Sequence, residues 1–307
     1  MAIEDLTAKL GMSSFGADLP TRSTIELARA AEDAGFERFM LVERVETNDV
    51  LTQLAAIAAR TDRIAIGTGI TNIYLRRVDM LAAAAVAVDD VSGGRLILGL
   101  GPNNRTAVEA LGLQWRPPAT ALREATDRLR AVFAGDAGRA GPAANHIALP
   151  WAAVGLGTAA AAGAHADGVM AYLATADRLG LVRERFVAGA AAAGRDPAAL
   201  EFSLLLPTFV DPDLEVARAA ARQFLSFYAG LAHYRTMFEA SGFTDVGSVP
   251  DELIDAVVLA GPIDHCVARL ERLVATGLTH VDLAPLPVGD RDLTGSAQLL
   301  IEHLATR

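Results

Sequence analysis

Lysine is all but missing from this chain: Lys9 stands alone, and arginine carries the rest of the positive charge. With 27 basic and 37 acidic side chains the formal charge is −10. No broad basic surface is therefore available to neutralise a phosphate backbone or hold an anionic bilayer, and roles on nucleic acid or at a membrane surface are excluded. Cysteine is equally scarce. Cys266 cannot close an intramolecular disulfide, and beside Val267 it reads as helix packing rather than a reactive thiol, which fits a reducing cytoplasm. The six histidines make no HxxxH pair, and neither CxxC nor GxSxG occurs, so no metal centre and no serine-elbow hydrolase are expected. Residues 140–166 carry no Asp, Glu, Lys or Arg, but Pro142, Pro150, Gly155, Gly157 and Gly163 interrupt them, which argues against a membrane span. The first residues lack a basic stretch followed by an apolar one, so a secretory signal is not expected and a cytoplasmic location is.

What is present is a globular composition, 52% hydrophobic and 21% charged. Eight short apolar runs are strand candidates: 9–15, 38–43, 64–69, 95–101, 151–155, 168–171, 202–210 and 280–286. Most are apolar enough for burial on both faces, as in a parallel sheet. Amphipathic stretches lie between them. One begins at Thr21 or Ser23 and ends at Gly35; Asn48 or Asp49 opens a second through Arg60; others cover 80–91, 121–133, 177–193 and 263–276. Sustained strand-helix alternation favours a (β/α)8 TIM barrel over an open doubly wound sheet. Residues 211–260 exceed one barrel helix and read as two or three helices, a helical insertion before the last βα unit. No linker-like stretch divides the chain, so a single domain over 1–307 is expected.

In a barrel the chemistry lies where strands end at the C-terminal face. Those positions here include Ser13, Ser14, Glu43, Arg44, the segment 68–74, the Gly99 to Asn104 stretch and Gly155-Leu156-Gly157-Thr158. The last follows a strand and leads into a helix, where bare backbone N–H groups and the helix dipole suit an anion. It also reads as GxGxxA, a dinucleotide fingerprint, or as a plain glycine turn. Asn103 and Asn104 offer uncharged donors or simply make a turn. Glu43-Arg44 puts an acid beside a fixed cation, or is a solvated pair. Arginine does not deprotonate near neutral pH, so its role would be to hold an anion.

The segments ELARAAEDAGFERFMLVER, LTQLAAIAARTDRIAIGTGITNIYLRR, VDDVSGGRLILGLGPNN, AGAHADGV and LAGPIDHCVARLERLVATGLTHVDLAPL together resemble the luciferase-like flavin and deazaflavin oxidoreductases, nearest their methylenetetrahydromethanopterin reductase branch. The resemblance implies a (β/α)8 barrel, usually dimeric, with the cofactor ring at the barrel mouth and a non-prolyl cis peptide at Gly69-Ile70 behind it. It implies a cofactor contact along Gly69, Ile70, Thr71, Asn72, Gly101, Pro102 and Asn103, with the cofactor phosphate at Gly155, Leu156, Gly157 and Thr158. The chain departs from the family in three places. Relatives often carry an aspartate-histidine pair where Glu43-Arg44 stands, the pterin reductases tend to carry a glutamate at Ser13, and the phosphate loop usually has a glycine-glycine-proline-lysine type of sequence.

The function implied is a coenzyme F420-dependent oxidoreductase that passes hydride between the deazaflavin C5 and an electrophilic carbon or C=N of a small organic substrate. Arg44 would stabilise negative charge, Glu43 would orient Arg44, and Asn104 or Ser13 would bond substrate. The alternatives are an FMNH2-dependent luciferase-like monooxygenase and a non-catalytic cofactor-binding accessory protein. A homodimer is expected, since the helix over 80–88 is almost wholly apolar.

Overall fold

The computed structural model describes residues 9–15, 19–45, 48–136 and 142–305. Its strands are β1 (Leu10–Ser14), β2 (Arg38–Leu41), β3 (Ala65–Asn72), β4 (Leu96–Gly101), β5 (Pro150–Ala152), β6 (Gly168–Tyr172), β7 (Glu201–Val210), β8 (Leu259–Gly261) and β9 (His280–Pro285). Strands β1 to β6 pair in chain order, β6 pairs with β7, β7 with β9, and β9 with β1, all in parallel. Eight strands thus close into a barrel, because parallel strands buried on both faces leave no free edge once the last meets the first.

Every strand expected from the sequence is present, with ends moved by a few residues. The third runs through Asn72 instead of stopping at Gly69, and β8 was not expected at all. Thr208 of β7 pairs with Pro285 of β9 on one edge and Leu259 of β8 on the other, so β8 extends the edge that β6 occupies lower down.

Helices α1 (Thr21–Asp33), α2 (Val50–Ala58), α3 (Val78–Ser92), α4 (Arg105–Ala110), α5 (Pro118–Phe133), α6 (Leu156–His165) and α7 (Ala176–Ala192) wrap the first six strands. Asp49 caps α2 by accepting from the Thr52 N–H. Pro20 precedes α1 where Thr21 or Ser23 was expected as the cap, and Asp79 lies within the first turn of α3. The insertion after β7 holds α8 (Leu214–Gly230), α9 (Ala232–Ala240), α10 (Asp251–Val257) and β8. Helices α11 (Ile263–Val274) and α12 (Leu293–Ala305) complete the ring. Among the described residues no helix is long and apolar enough to cross a membrane.

Alternate side chains of each strand enter the barrel. At the N-terminal end this interior is ionic. Arg38, 1% exposed, donates from Nε and Nη2 to the two carboxylate oxygens of Asp282 at 2.7 Å each, and from Nη1 to Glu201 Oε1 at 2.8 Å. Burial raises the Glu201 carboxyl, and Arg38 more than reverses that. Gly11 leaves the room: a Cβ there would stand 2.0 Å from Asp282 Oδ1. Removing one member of a buried pair strands the other, which costs about 3–5 kcal/mol. Asp282→Ala should therefore lower the unfolding free energy by about that much in a urea titration. A midpoint equal to the parent's would show that this layer does not hold the barrel.

Candidate active site at the barrel mouth

The opposite end of the barrel is lined on one side by residues with little or no side chain. Pairing between β3 and β4 shifts register between Thr68 and Thr71, and the Gly69-Ile70 peptide inside that shift is cis, at the position the family resemblance implies. The Ile70 carbonyl accepts from the Glu43 N–H at 3.1 Å. Ile70 then reaches toward β4, where a Cβ on Gly101 would stand 2.3 Å from its Cδ1. A side chain at Gly99 would meet Met170 Sδ at 2.7 Å. Gly99 and Gly101 thus admit no side chain, because Thr68, Met170 and Ile70 already fill the space beside them.

Polar groups rim the wall. Thr71 Oγ1 donates to Glu43 Oε2 at 2.6 Å and the Asn72 N–H to the same oxygen at 3.0 Å, while Arg76 pairs with Glu43 Oε1 and with Asp49. Burial works against the Arg76 charge, and its two carboxylates more than offset it. Asn72 accepts from the Tyr74 N–H through Oδ1 at 3.0 Å, which turns its amide nitrogen the other way. That nitrogen is buried and, among the described residues, has no partner; nor do the hydroxyls of Ser13 and Ser14. Buried donors without acceptors are rare in folded proteins; Ser13, two residues after Gly11 and so on its inward face, and the Asn72 amide are donors that a bound polar ligand would satisfy.

At the exit of β5, Gly155 is the N-cap of α6 and brings no capping side chain. The first-turn amides of Leu156, Gly157 and Thr158 precede the first intrahelical bond, Ala159 N–H to Gly155 O at 2.9 Å. A Cβ on Gly157 would meet nothing within 4 Å, so the turn opens onto space. The Val154 carbonyl beside it accepts from Arg178 Nε at 2.9 Å and Nη2 at 2.7 Å. Burial alone acts on Arg178, lowering its pKa. A bare helix N-terminus with a half-buried cation bonded beside it offers the N–H groups and field that suit an anion.

The wider comparisons agree with this geometry. The luciferase-like monooxygenase family profile matches residues 6–280. The chain belongs to that family. Among curated relatives, a 5,10-methylenetetrahydromethanopterin reductase of Methanolobus tindarius is 27% identical over 300 residues, spanning 88% of this chain and 92% of that one. Among solved structures, a coenzyme F420-dependent tetrahydromethanopterin reductase from Methanopyrus kandleri superposes with a TM-score of 0.79 at 24% identity, covering 96% of this chain and 97% of that one. An F420-dependent secondary alcohol dehydrogenase bound to an F420-acetone adduct gives a TM-score of 0.79 at 19% identity, with coverages of 98% and 99%. This luciferase-like chain is an oxidoreductase with a TIM barrel.

In the luciferase-like barrel, Ser13, Glu43, Gly69, Ile70, Thr71, Asn72 and Gly101 come from three neighbouring strand exits and the β4 end. Two roles expected from the sequence change. The cation paired with Glu43 is Arg76, and the Glu43 oxygens are taken by Arg76, Thr71 and Asn72 rather than used to orient Arg44. Asn104 accepts from the Ala107 N–H at 2.8 Å as the cap of α4, and its Nδ2 donates to Asn103 Oδ1 at 3.2 Å, so its amide has a structural role in the loop. Pro102 follows Gly101 at the rim, and Asn103 adopts φ 54° to turn the chain into that loop. Arg76 and Arg178 were missed. Arg76 lies within the quoted YLRR segment, but nothing local says which acid it meets. Arg76→Gln should lower stability by about 1.5–3 kcal/mol by leaving Glu43 without its cation, and Arg76→Lys should recover part of it. Equal denaturation midpoints for parent and Arg76→Gln would mean that the pair is solvated.

Proposed function

We propose that the chain is a coenzyme F420-dependent oxidoreductase acting on an electrophilic carbon or C=N of a small organic substrate. The observation that carries the reading is the buried, unpartnered Asn72 amide at the β3 exit, a donor that suits a heterocycle with a hydrogen-bond acceptor at its edge. A deazaflavin supplies hydride donation or acceptance when bound. The chain's own residues bind and orient. Gly155, Leu156, Gly157 and Thr158 hold the phosphate through backbone N–H groups, Asn72 bonds the ring edge, and Thr71, Glu43 and Arg76 fix the strand end that carries Asn72. Ser13 bonds the substrate or the ring face, and Arg44 balances negative charge on either. Similarity to the F420-dependent reductase from Methanopyrus kandleri favours the deazaflavin over FMN.

Side-by-side fluorescence titration of the purified chain with F420 and FMN tests this, and tighter binding of F420 is the expected result. Gly157→Asp adds a carboxylate in the open space of the cradle, on a helix turn whose dipole tolerates an acid, so the variant should fold and bind F420 at least tenfold more weakly. Unchanged affinity would remove the cradle, and tighter FMN binding would favour a monooxygenase. Arg44→Ala should weaken cofactor or substrate binding by about 1.5–3 kcal/mol, roughly tenfold to a hundredfold. The same reading includes a homodimer through α3, where Met80 is 64% exposed; sedimentation showing only monomer at micromolar concentration would exclude it.

A further inference from the structure

The insertion does more than lengthen the chain: it brings a second set of aromatic side chains over the barrel mouth. Tyr172 ends β6 two residues after Met170, and so shares its inward face. Met170 packs against the glycine wall, its Cε 3.5 Å from where a Gly69 Cβ would be, and Tyr172 rises one step above it. The Tyr172 hydroxyl lies 2.9 Å from the hydroxyl of Tyr228 on α8, with ring centroids 5.5 Å apart. Tyr234 stands 5.2 Å from Tyr228, Phe224 5.1 Å from Tyr228, and Phe15 of the β1 exit 6.1 Å from Phe224.

We infer that Tyr172 and Tyr228 are the proton-donating pair of the substrate site, and that the aromatic surround selects planar, conjugated carbonyl compounds. The inference rests on the cofactor reading above and names the substrate class of that same site. The Tyr172 hydroxyl donates to the Tyr228 oxygen, so its proton is engaged; among the described residues the Tyr228 proton meets no acceptor. It is available to a ligand oxygen. Burial pushes both phenols up, so both are protonated at neutral pH, while the Arg44 charge acts on each in the opposite sense and eases transient loss of a proton. Ring edges and faces at these spacings stack on a conjugated ligand better than on a saturated one. When such a substrate takes hydride from the reduced deazaflavin at its β-carbon, the double-bond electron pair shifts to the carbonyl oxygen as an enolate. That enolate takes the free Tyr228 proton, Tyr228 takes the proton that Tyr172 donates to it, and the pair regains one from solvent. The substrate gains two electrons and two protons, one proton carried by the hydride and one from Tyr228; the enol so formed tautomerises to the saturated ketone in solvent, and the deazaflavin that gave the hydride is oxidised by two electrons.

Tyr172→Phe and Tyr228→Phe remove only hydroxyls and keep the rings. The first arm measures reduction of cyclohex-2-enone with reduced F420, beside the saturated cyclohexanone. The parent is expected to reduce the enone faster, Tyr228→Phe to lose about 10²-fold in kcat with F420 affinity unchanged, and Tyr172→Phe at least about tenfold. The double variant should be no slower than the worse single one, since the pair acts as a unit. The second arm needs no cofactor: cyclohex-2-enone should perturb the ultraviolet tyrosine spectrum of the parent, and Tyr228→Phe should abolish the change. Absence of enone turnover by an F420-binding parent, kcat within twofold of the parent in both variants, equal handling of cyclohexanone, or an unperturbed parent spectrum would each overturn the inference. Failure to bind F420 at all would instead remove the cofactor reading, and the cofactor-free spectra would then decide the tyrosine pair alone.

Discussion

A guanidinium buried inside a barrel constrains everything around it. Arg38 has no route to water, so its charge is tolerated only while Asp282 and Glu201 stay in register across from it. Those residues begin or nearly begin β2, β9 and β7, and the last two are separated from the first by more than half the chain. Slipping any of the three strands by one residue would turn its inward set outward and leave the cation alone. The ionic layer therefore specifies barrel register as much as it stabilises it, and Gly11 is bare so that the Asp282 carboxylate can fit.

The N-terminal end is locked by charge. Above it the interior rises through Met40 and Met170 to Gly69, Gly99 and Gly101, where the Met170 and Ile70 side chains fill the space the glycines leave. Such a gradient places polar donors such as Asn72 and Ser13 in a low-dielectric mouth, where an unsatisfied hydrogen bond is costly and a matching ligand is correspondingly favoured. The Glu43, Thr71 and Arg76 cluster keeps the β3 bulge in place, so the wall is preorganised before any ligand arrives.

The insertion supplies what the eight βα units do not. Its salt bridges from Arg218 and Arg222 of α8 to Asp251 of α10, and from Arg218 to Asp255, hold the helices to one another, and β8 ties them to the upper half of β7. Phe209 of β7 packs 5.6 Å from Phe224 of α8, which seats the insertion on the barrel's own strand end. The insertion thus adds its own aromatic side to the mouth, while the side built from β3 and β4 belongs to the barrel itself.

The sequence by itself determined the parts whose physics is local. Alternating apolar runs and amphipathic stretches determined the barrel strands and most helices, and Gly155 and Gly157 after a strand determined the open helix N-terminus, because backbone geometry there depends on a few adjacent residues. The family resemblance located the cis Gly69-Ile70 peptide, which periodicity does not reveal. Tertiary structure alone decided the rest. Glu43 and Arg76 are both visible as charges, but which of several arginines meets Glu43 depends on how the β3 exit folds back over β2. Asn104 reads equally as ligand or cap until the start of α4 is known. β8 is too short to outweigh the helices around it, and pairs only because the upper part of β7 has an unfilled edge. Tyr172 and Tyr228 lie 56 residues apart, one on a strand and one in the insertion, and only barrel closure with α8 laid across the mouth brings their hydroxyls together.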